Sequence, residues 1–467
     1  MKTVILGGGE SGYGSAVLAK MKNMEVFLSD YGTIAPKYTA VLDRYGIEYE
    51  SGQHTESRIL DADLVIKSPG IPETAPIVQK LHKQGISVIS EIEFAARYTK
   101  GKIIAITGSN GKTTTTTLTG EILKNAGYDS AVGGNIGESF AYTVATNDKE
   151  WYVLELSSFQ LDGTFEFRPD TAVITNITPD HLDRYDHCYQ NYINSKFRII
   201  ANQRPDDYFI YGIDSPAVFS EIEGRSLAMH CAPFSVKCSP EADTARQQFH
   251  ATDSNSPNGA WLLSEKAFRA KVGERFVDID IDRMQIKGIH NVYNAMSAAL
   301  AALTAGVVPE CIAETIYTFG GVEHRLEAAG TVNGVEYIND SKATNVDSAW
   351  YALDSMTKPT IWIAGGTDKG NDYDYLKDVV AGHVKMLVCM GADNTKLIEY
   401  FRGIVPEIYD THSLEETIEV CASKACPGDA VLLSPACASF DLFRNYEDRG
   451  RRFKAAVQQL AAKSVHK

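Results

Sequence analysis

Paired cysteines are missing from this chain: its eight cysteines (Cys188, Cys231, Cys238, Cys311, Cys389, Cys421, Cys426 and Cys437) are scattered, with no C-x-x-C spacing. That excludes a disulfide framework, and a reduced, cytoplasmic setting is the expectation. A long apolar run is missing from the opening MKTVILGGGESGYG, where four apolar residues are broken at once by glycines. Neither a signal peptide nor a membrane span is expected there. Positive charge is scarce as well, 45 Lys and Arg against 60 Asp and Glu, a net charge of −15. A nucleic-acid or anionic-membrane partner is therefore not expected, and anionic ligands must be met by local pockets. What is present is an ordinary globular composition, 44% apolar and 22% charged over 467 residues. That length has room for roughly three domains of about 150 residues.

The chain is organised around Ile103 to Thr117, IIAITGSNGKTTTTT. An apolar strand runs into a Gly-bearing turn, then a lysine followed by hydroxyls. Backbone N–H groups of such a turn, at the positive end of a helix, cradle phosphate. Lys112 adds a mobile charge and the Thr113 hydroxyl can ligate magnesium. The usual first glycine of a G-x-x-x-x-G-K-[ST] loop is replaced by Ile106, and the glycine stands at Gly108, which gives the shorter form T-G-S-N-G-K-T.

Before this loop, Thr3 to Leu6 reads as a strand followed by Gly7, Gly9 and Gly12, with Asp30 closing a second strand. The pattern resembles a Rossmann nucleotide fingerprint, and alone it would suit a nicotinamide-dependent oxidoreductase. Further strands are read at Asp63 to Lys67, ahead of the turn Ser68-Pro69-Gly70-Ile71-Pro72, and at Val88 to Ser90. After the loop come the Gly-rich turn Gly133 to Gly137, a strand placing Glu155 near its carboxyl end, and a strand Thr171 to Ile177 delivering Thr178-Pro179-Asp180-His181. Tyr189 to Ile200 reads as a helix carrying Lys196. Between Pro205 and Ile286 the signals are short, and the polar stretch Thr252 to Gly259 reads as a loop. His290-Asn291-Val292-Tyr293-Asn294 opens an Ala-rich helix ending at Gly306, with two amides three residues apart on one face. Gly320-Gly321 softens a joint. A hairpin at Asn333-Gly334 follows, then strands at Glu336 to Asn339, Thr360 to Ala364, Met386 to Cys389 and Ala430 to Leu433. The expected architecture is α/β, with a Rossmann-like domain at 1–95, a central ATPase-type domain at 96–321 and a second Rossmann-like domain at 322–467.

Together the short phosphate loop, LELSSFQL, TPDHLDRY, HNVYN, EHR and NDSKATN resemble the Mur ligases, ATP-dependent amide-forming enzymes of peptidoglycan synthesis. NDSKATN and LLSPACAS are similar to the branch that adds D-glutamate to UDP-N-acetylmuramoyl-L-alanine. The resemblance implies that Gly108, Ser109, Asn110, Gly111, Lys112, Thr113 and Thr114 hold the ATP phosphates. Asn291 and Asn294 would meet adenine, and Arg325 and Asp340 would reach ATP from the joint and third domain. Thr113 and Glu155 would hold one magnesium ion, and His181 with a CO2-modified Lys196 a second. Lys112, Glu155, His181 and Lys196 thus become the catalytic set. The UDP-linked substrate would lie against Gly9, Ser11, Gly12, Asp30, Ser68, Gly70, Asn135, Ser157 and Gln160. Asp30 is followed by Tyr31-Gly32, where the resemblance leads one to expect Thr-Arg. D-glutamate would meet Lys342, Thr344, Lys369, Ser439, Phe440 and Tyr446, with Ser341 nearby. In this reading the N-terminal glycines hold UDP and no nicotinamide, and the chain acts as a cytoplasmic monomer.

Overall fold

The computed structural model describes residues 1–237, 258–368 and 370–465. It divides into two compact units, Met1–Met284 with Val292–Phe319, and Gln285–Asn291 with Gly320–Lys467. Among the described residues no helix is long and apolar enough to cross a membrane.

The first unit carries two sheets. In the smaller, β1 (Lys2–Leu6), β2 (Glu25–Asp30), β3 (Glu48–Ser51), β4 (Leu64–Lys67) and β5 (Ser87–Ile89) lie parallel in the order β3-β2-β1-β4-β5. The chain leaves β1 to one side and later returns to the other, so the loops after β1 and β4 border a crevice at the strand ends. There Gly7 comes so close to Ser68 that a Cβ would sit 2.5 Å from the Ser68 Oγ.

The larger sheet takes β6 (Lys102–Thr107), β7 (Ser130–Gly134), β8 (Trp151–Glu155), β9 (Thr171–Ile174), β10 (Tyr208–Gly212), β11 (His230–Ser235), β12 (Gly259–Ser264), β13 (Ala267–Val272) and β14 (Arg275–Asp280). Their order is β14-β13-β12-β11-β10-β9-β6-β8-β7, parallel except for the antiparallel β12-β13-β14 edge. β6 lies between β8 and β9, so three site-bearing loops leave one end of the sheet side by side. The helix Lys112–Asn125 after β6 keeps its form despite five consecutive threonines, because Leu118, Ile122 and Leu123 are fully buried along one stripe. Each such side chain contributes about 1.5–3 kcal/mol, more than the few tenths that each β-branched residue costs a helix. Within the run Thr115 Oγ1 pairs with Ser297 Oγ at 3.2 Å, and beyond it Thr119 Oγ1 donates to the Thr115 carbonyl at 2.7 Å.

The second unit holds β15 (Glu327–Val332), β16 (Val335–Asn339), β17 (Thr360–Ala364), β18 (Val384–Met390), β19 (Glu407–Thr411) and β20 (Ala430–Leu433) in the order β15-β16-β20-β17-β18-β19. Only β15 runs antiparallel, through the Asn333-Gly334 turn, where both residues adopt positive φ. The α/β class with parallel sheets is as the sequence led us to expect. Of the polar stretch read as a loop, Thr252 to Pro257 lies outside the described residues, and Gly259 already belongs to β12.

Candidate active site

The turn after β6 is built by conformations and approaches that only glycine tolerates. Gly108 has φ +147° and a Cβ there would lie 1.9 Å from Thr175 Oγ1, while Gly111 has φ +83° and would press to 2.3 Å on Asn294 Oδ1. The loop between them is fixed from the end of β9. Asn110 N–H donates to Asn176 Oδ1 at 3.0 Å, and its carbonyl accepts from Thr175 Oγ1 at 2.6 Å and Asn176 Nδ2 at 3.1 Å. Ser109 Oγ donates to the Thr178 carbonyl at 2.9 Å and pairs with the Tyr192 hydroxyl at 3.1 Å. Lys112 Nζ folds back onto its own loop, donating to the carbonyls of Gly108 at 2.8 Å and Ser109 at 2.9 Å. Thr113 and Thr114 begin the helix and are buried.

Around this loop the structure gathers the other expected residues. Glu155 is 2% exposed at the end of β8. Its Oε1 accepts from Asn135 Nδ2 at 2.8 Å, and its Oε2 is buried without a hydrogen-bond partner. Such an orphaned carboxylate oxygen is costly unless a cation meets it, and oxygen donors are what magnesium takes, so the site fits that ion. Lys196 is 1% exposed and donates from Nζ to the same Gly108 carbonyl at 2.7 Å. Burial, and then repulsion from Lys112, hold its amine well below the ordinary lysine range. His181 lies at a left-handed residue, φ +53°, with Nε2 3.6 Å from Asp180 Oδ2 and its ring edge-on to Phe159 at 5.1 Å.

Beside these residues lies a cleft of about 960 Å³. Gly9, Ser11, Asp30, Ser68, Gly70, Asn135 and Gln160 line it, so Asn135 faces the cleft and Glu155 at once. Asp30 ties the glycine turn, accepting from Gly8 N–H at 2.5 Å and Gly32 N–H at 2.7 Å. Gly12 and Ser157 are not among the residues that line the cleft. A Cβ on Gly12 would meet the Gly7 carbonyl at 1.9 Å, and Ser157 caps a short helix in a capping box with Gln160. Tyr31 and His54, which lie on different strand-end loops, line the same cleft with ring centroids 5.7 Å apart.

In the first two turns of the helix Ile289–Ala305, Asn291 Nδ2 donates to the Lys287 carbonyl at 2.8 Å, while Asn294 Oδ1 accepts from Thr115 Oγ1 at 3.4 Å. In the second unit Asp340 is buried, accepting from Leu326 N–H at 3.2 Å and Ser434 Oγ at 2.8 Å. Burial pushes its carboxyl up to about 6, against the opposing pull of the Arg325 guanidinium. Lys342 Nζ lies 5.3 Å from the Tyr446 ring centroid, and Ser341 Oγ donates to the Tyr446 carbonyl at 2.8 Å. Thr367 and Ala438 exchange backbone hydrogen bonds at 2.8 and 3.2 Å, which draws the loop after β17 to the loop that holds the buried Ser439 and the exposed Phe440. Thr344 N–H donates to the Lys342 carbonyl at 2.9 Å, and Lys369 lies outside the described residues.

Three family descriptions match the chain in succession: the MurD N-terminal domain over residues 2–76, the Mur ligase middle domain over 106–302, and the Mur ligase glutamate ligase domain over 324–437. The chain belongs to the Mur ligases. This Mur ligase is 49% identical over 459 residues to the UDP-N-acetylmuramoylalanine--D-glutamate ligase of Christiangramia forsetii, covering 98% of this chain and 99% of the relative. Among solved structures it is similar to the UDP-N-acetylmuramate-alanine ligase of Thermotoga maritima, with TM-score 0.62, 19% identity, and 98% and 99% of the two chains covered. It is similar also to the MurF ligase of Thermotoga maritima solved with ADP, with TM-score 0.57, 13% identity, and 94% and 95% covered. Use of ATP accords with this family. The sequence reading of the Mur ligase site missed Thr175, Asn176 and Tyr192. Thr175 and Asn176 follow β9 at the same sheet end as the phosphate loop, and adjacency of those two strands was the one signal that could have found them.

Proposed function

We propose that this Mur ligase joins D-glutamate to UDP-N-acetylmuramoyl-L-alanine at the expense of ATP, through an acyl phosphate, with release of ADP and phosphate. The observation that carries the reading is the full-length 49% identity to a relative bearing that activity in its name. The geometry supports it. A carboxylate is a poor electrophile, and phosphorylation gives it a leaving group that an amine can displace. Every participant is anionic, so the protein must supply donors and cations at fixed places.

Gly108 to Thr114 cradle the β- and γ-phosphates, with Lys112 exchanging its two loop carbonyls for phosphate oxygens. Asn291 and Asn294 read the adenine, and Arg325 and Asp340 complete the nucleotide site. Thr113 and Glu155 would hold one magnesium ion, and His181 with a carbamylated Lys196 a second; bound there, the metal offsets the repulsion between phosphates and carboxylate. The neutral amine favoured at Lys196 is the form that adds CO2. Asn135 orients the muramoyl part, while Gly9, Ser11, Asp30, Ser68, Gly70 and Gln160 face the UDP. Thr344, Lys369 and Ser439 take the carboxylates of D-glutamate, with Lys342, Phe440 and Tyr446 around them. The test is phosphate release from ATP across a panel of amino acids. Release should require both the UDP-muramoyl substrate and D-glutamate. Equal release with L-alanine or a diamino acid would refute the specificity.

A further inference from the structure

The turn Ser68 to Pro72 walls the cleft, and three consecutive carbonyls in it are met by cations. Lys67 Nζ donates to the Ile71 carbonyl at 2.7 Å, while Arg184 reaches the carbonyls of Pro69 with Nη2 at 3.3 Å and of Gly70 with Nη1 at 3.5 Å. Lys67 is otherwise committed, paired to Glu73 at 3.1 Å on the same segment. Arg184 comes from elsewhere, from the single turn Leu182–Arg184 that begins beside His181. Its guanidinium lies 4.4 Å from the centroid of Phe159, and that ring is edge-on to His181 at 5.1 Å and stacked on Tyr185 at 6.0 Å. The turn and Arg184 together border a cavity of about 110 Å³, with Lys67, Phe159, Asp162 and Asp186 on its other walls. One planar cation therefore touches both the wall of the substrate cleft and the ring that braces His181. A guanidinium suits this because it donates to two carbonyls in its plane while stacking through its face, a planar geometry that an ammonium lacks.

We propose that Arg184 is a positioning residue that couples occupation of the UDP cleft to the pose of His181. The proposal rests on the ligase reading above. Substrate seated against Ser68 and Gly70 holds the turn, the turn holds Arg184, and Arg184 with Phe159 holds the imidazole in place.

The test compares Arg184→Ala and Arg184→Lys with the wild-type full chain, by steady-state kinetics and by calorimetric binding of the UDP-linked substrate without turnover. For Arg184→Ala we expect kcat to fall about tenfold or more and the KM for the UDP-linked substrate to rise several-fold, with the KM for ATP within about twofold of wild type. Added ethylguanidinium should restore part of the kcat, ammonium at equal ionic strength should not, and Arg184→Lys should be intermediate. A folded Arg184→Ala protein with kcat and substrate KM both within about twofold of wild type overturns the proposal. So does a uniform loss across all substrates that ethylguanidinium leaves unchanged. If Arg184→Ala does not fold, Phe159→Leu takes its place: kcat should drop with little change in calorimetric affinity for the UDP-linked substrate, and an unchanged kcat overturns the coupling. Failure of the ligase reading is separately visible as wild-type protein that neither binds the UDP-linked substrate nor releases phosphate.

Discussion

Lys196 sits where an ammonium is unwelcome, enclosed and facing Lys112, with the Gly108 carbonyl as its hydrogen-bond partner and the Tyr192 ring centroid 4.7 Å away. If carbamylation turns it into a ligand oxygen donor, Lys196→Ala should lose most activity while keeping the fold, and acetate should restore part of it by filling the void with two oxygens. Chloride at equal ionic strength should not. Full activity of the alanine variant without additive would refute the role. A second buried group, Glu91, predicts a pH effect on stability. Its carboxylate accepts from the Ser139 hydroxyl and from Ala141 N–H at 3.0 Å, yet burial outweighs both and pushes its pKa up to about 7. The folded chain therefore keeps this proton after the unfolded chain has lost it. The contribution is fully present below the unfolded carboxyl range, about 4.3, and disappears as pH rises through about 7. Glu91→Gln should flatten the decline in melting temperature across that window, and an unaltered slope in melts taken through it would contradict the assignment.

At the scale of elements, the phosphate loop makes the sharpest demand on sequence. Gly111→Ala places an L-residue at φ +83° and a methyl against Asn294 Oδ1. The left-handed conformation alone costs roughly 1–2 kcal/mol, and Asn294, assigned to adenine, must also move. The KM for ATP should rise by about tenfold or more, equivalent to about 1.4 kcal/mol, with a lowered melting temperature. Gly127→Ala is the control, since it has φ +82° but nothing within 4 Å; equal effects of the two variants on ATP would refute the argument. Much of this architecture was legible because central parallel strands are continuous apolar runs, as in IIAIT before the loop and AVLL in β20. Among the strands that escaped notice, β3, β7 and β19 each lie at a sheet edge, where EYES, SAVGG and EIYDT are only partly buried, while β11, β13 and β14 fall in the stretch of short signals between Pro205 and Ile286. An edge strand has one partner and needs no apolar run, so its sequence carries little signal. The strand read as Thr171 to Ile177 ends at Ile174 instead, because Thr175 and Asn176 turn aside to hold Asn110. That bond joins residues about 65 positions apart, which local periodicity cannot reveal.

For the molecule as a whole, the residues assigned to the reaction are divided between two compact units, Lys112, Glu155, His181 and Lys196 in one and Arg325, Asp340 and the D-glutamate groups in the other. If both sets serve one reaction, binding of an ATP analogue with the UDP-linked substrate should compact the chain by movement about Gly320 and Gly321, measurable as a smaller radius of gyration in solution scattering. No change on saturation with both ligands would count against that movement. The antiparallel border of the large sheet bears on a different matter, the company the chain keeps. An open strand edge is a template for pairing with another chain, yet β14 presents Arg275, Asp278 and Asp280 outward. Arg269 clamps Asp278 through two bonds of 2.7 Å, and the Asp280 N–H is taken by the Tyr317 hydroxyl at 3.0 Å. Charges set along an edge whose donors are partly spoken for discourage sheet-to-sheet growth. At high protein concentration this border should therefore leave the chain as single, dispersed copies, and replacing Arg269 and Asp278 together by valine should make it self-associate.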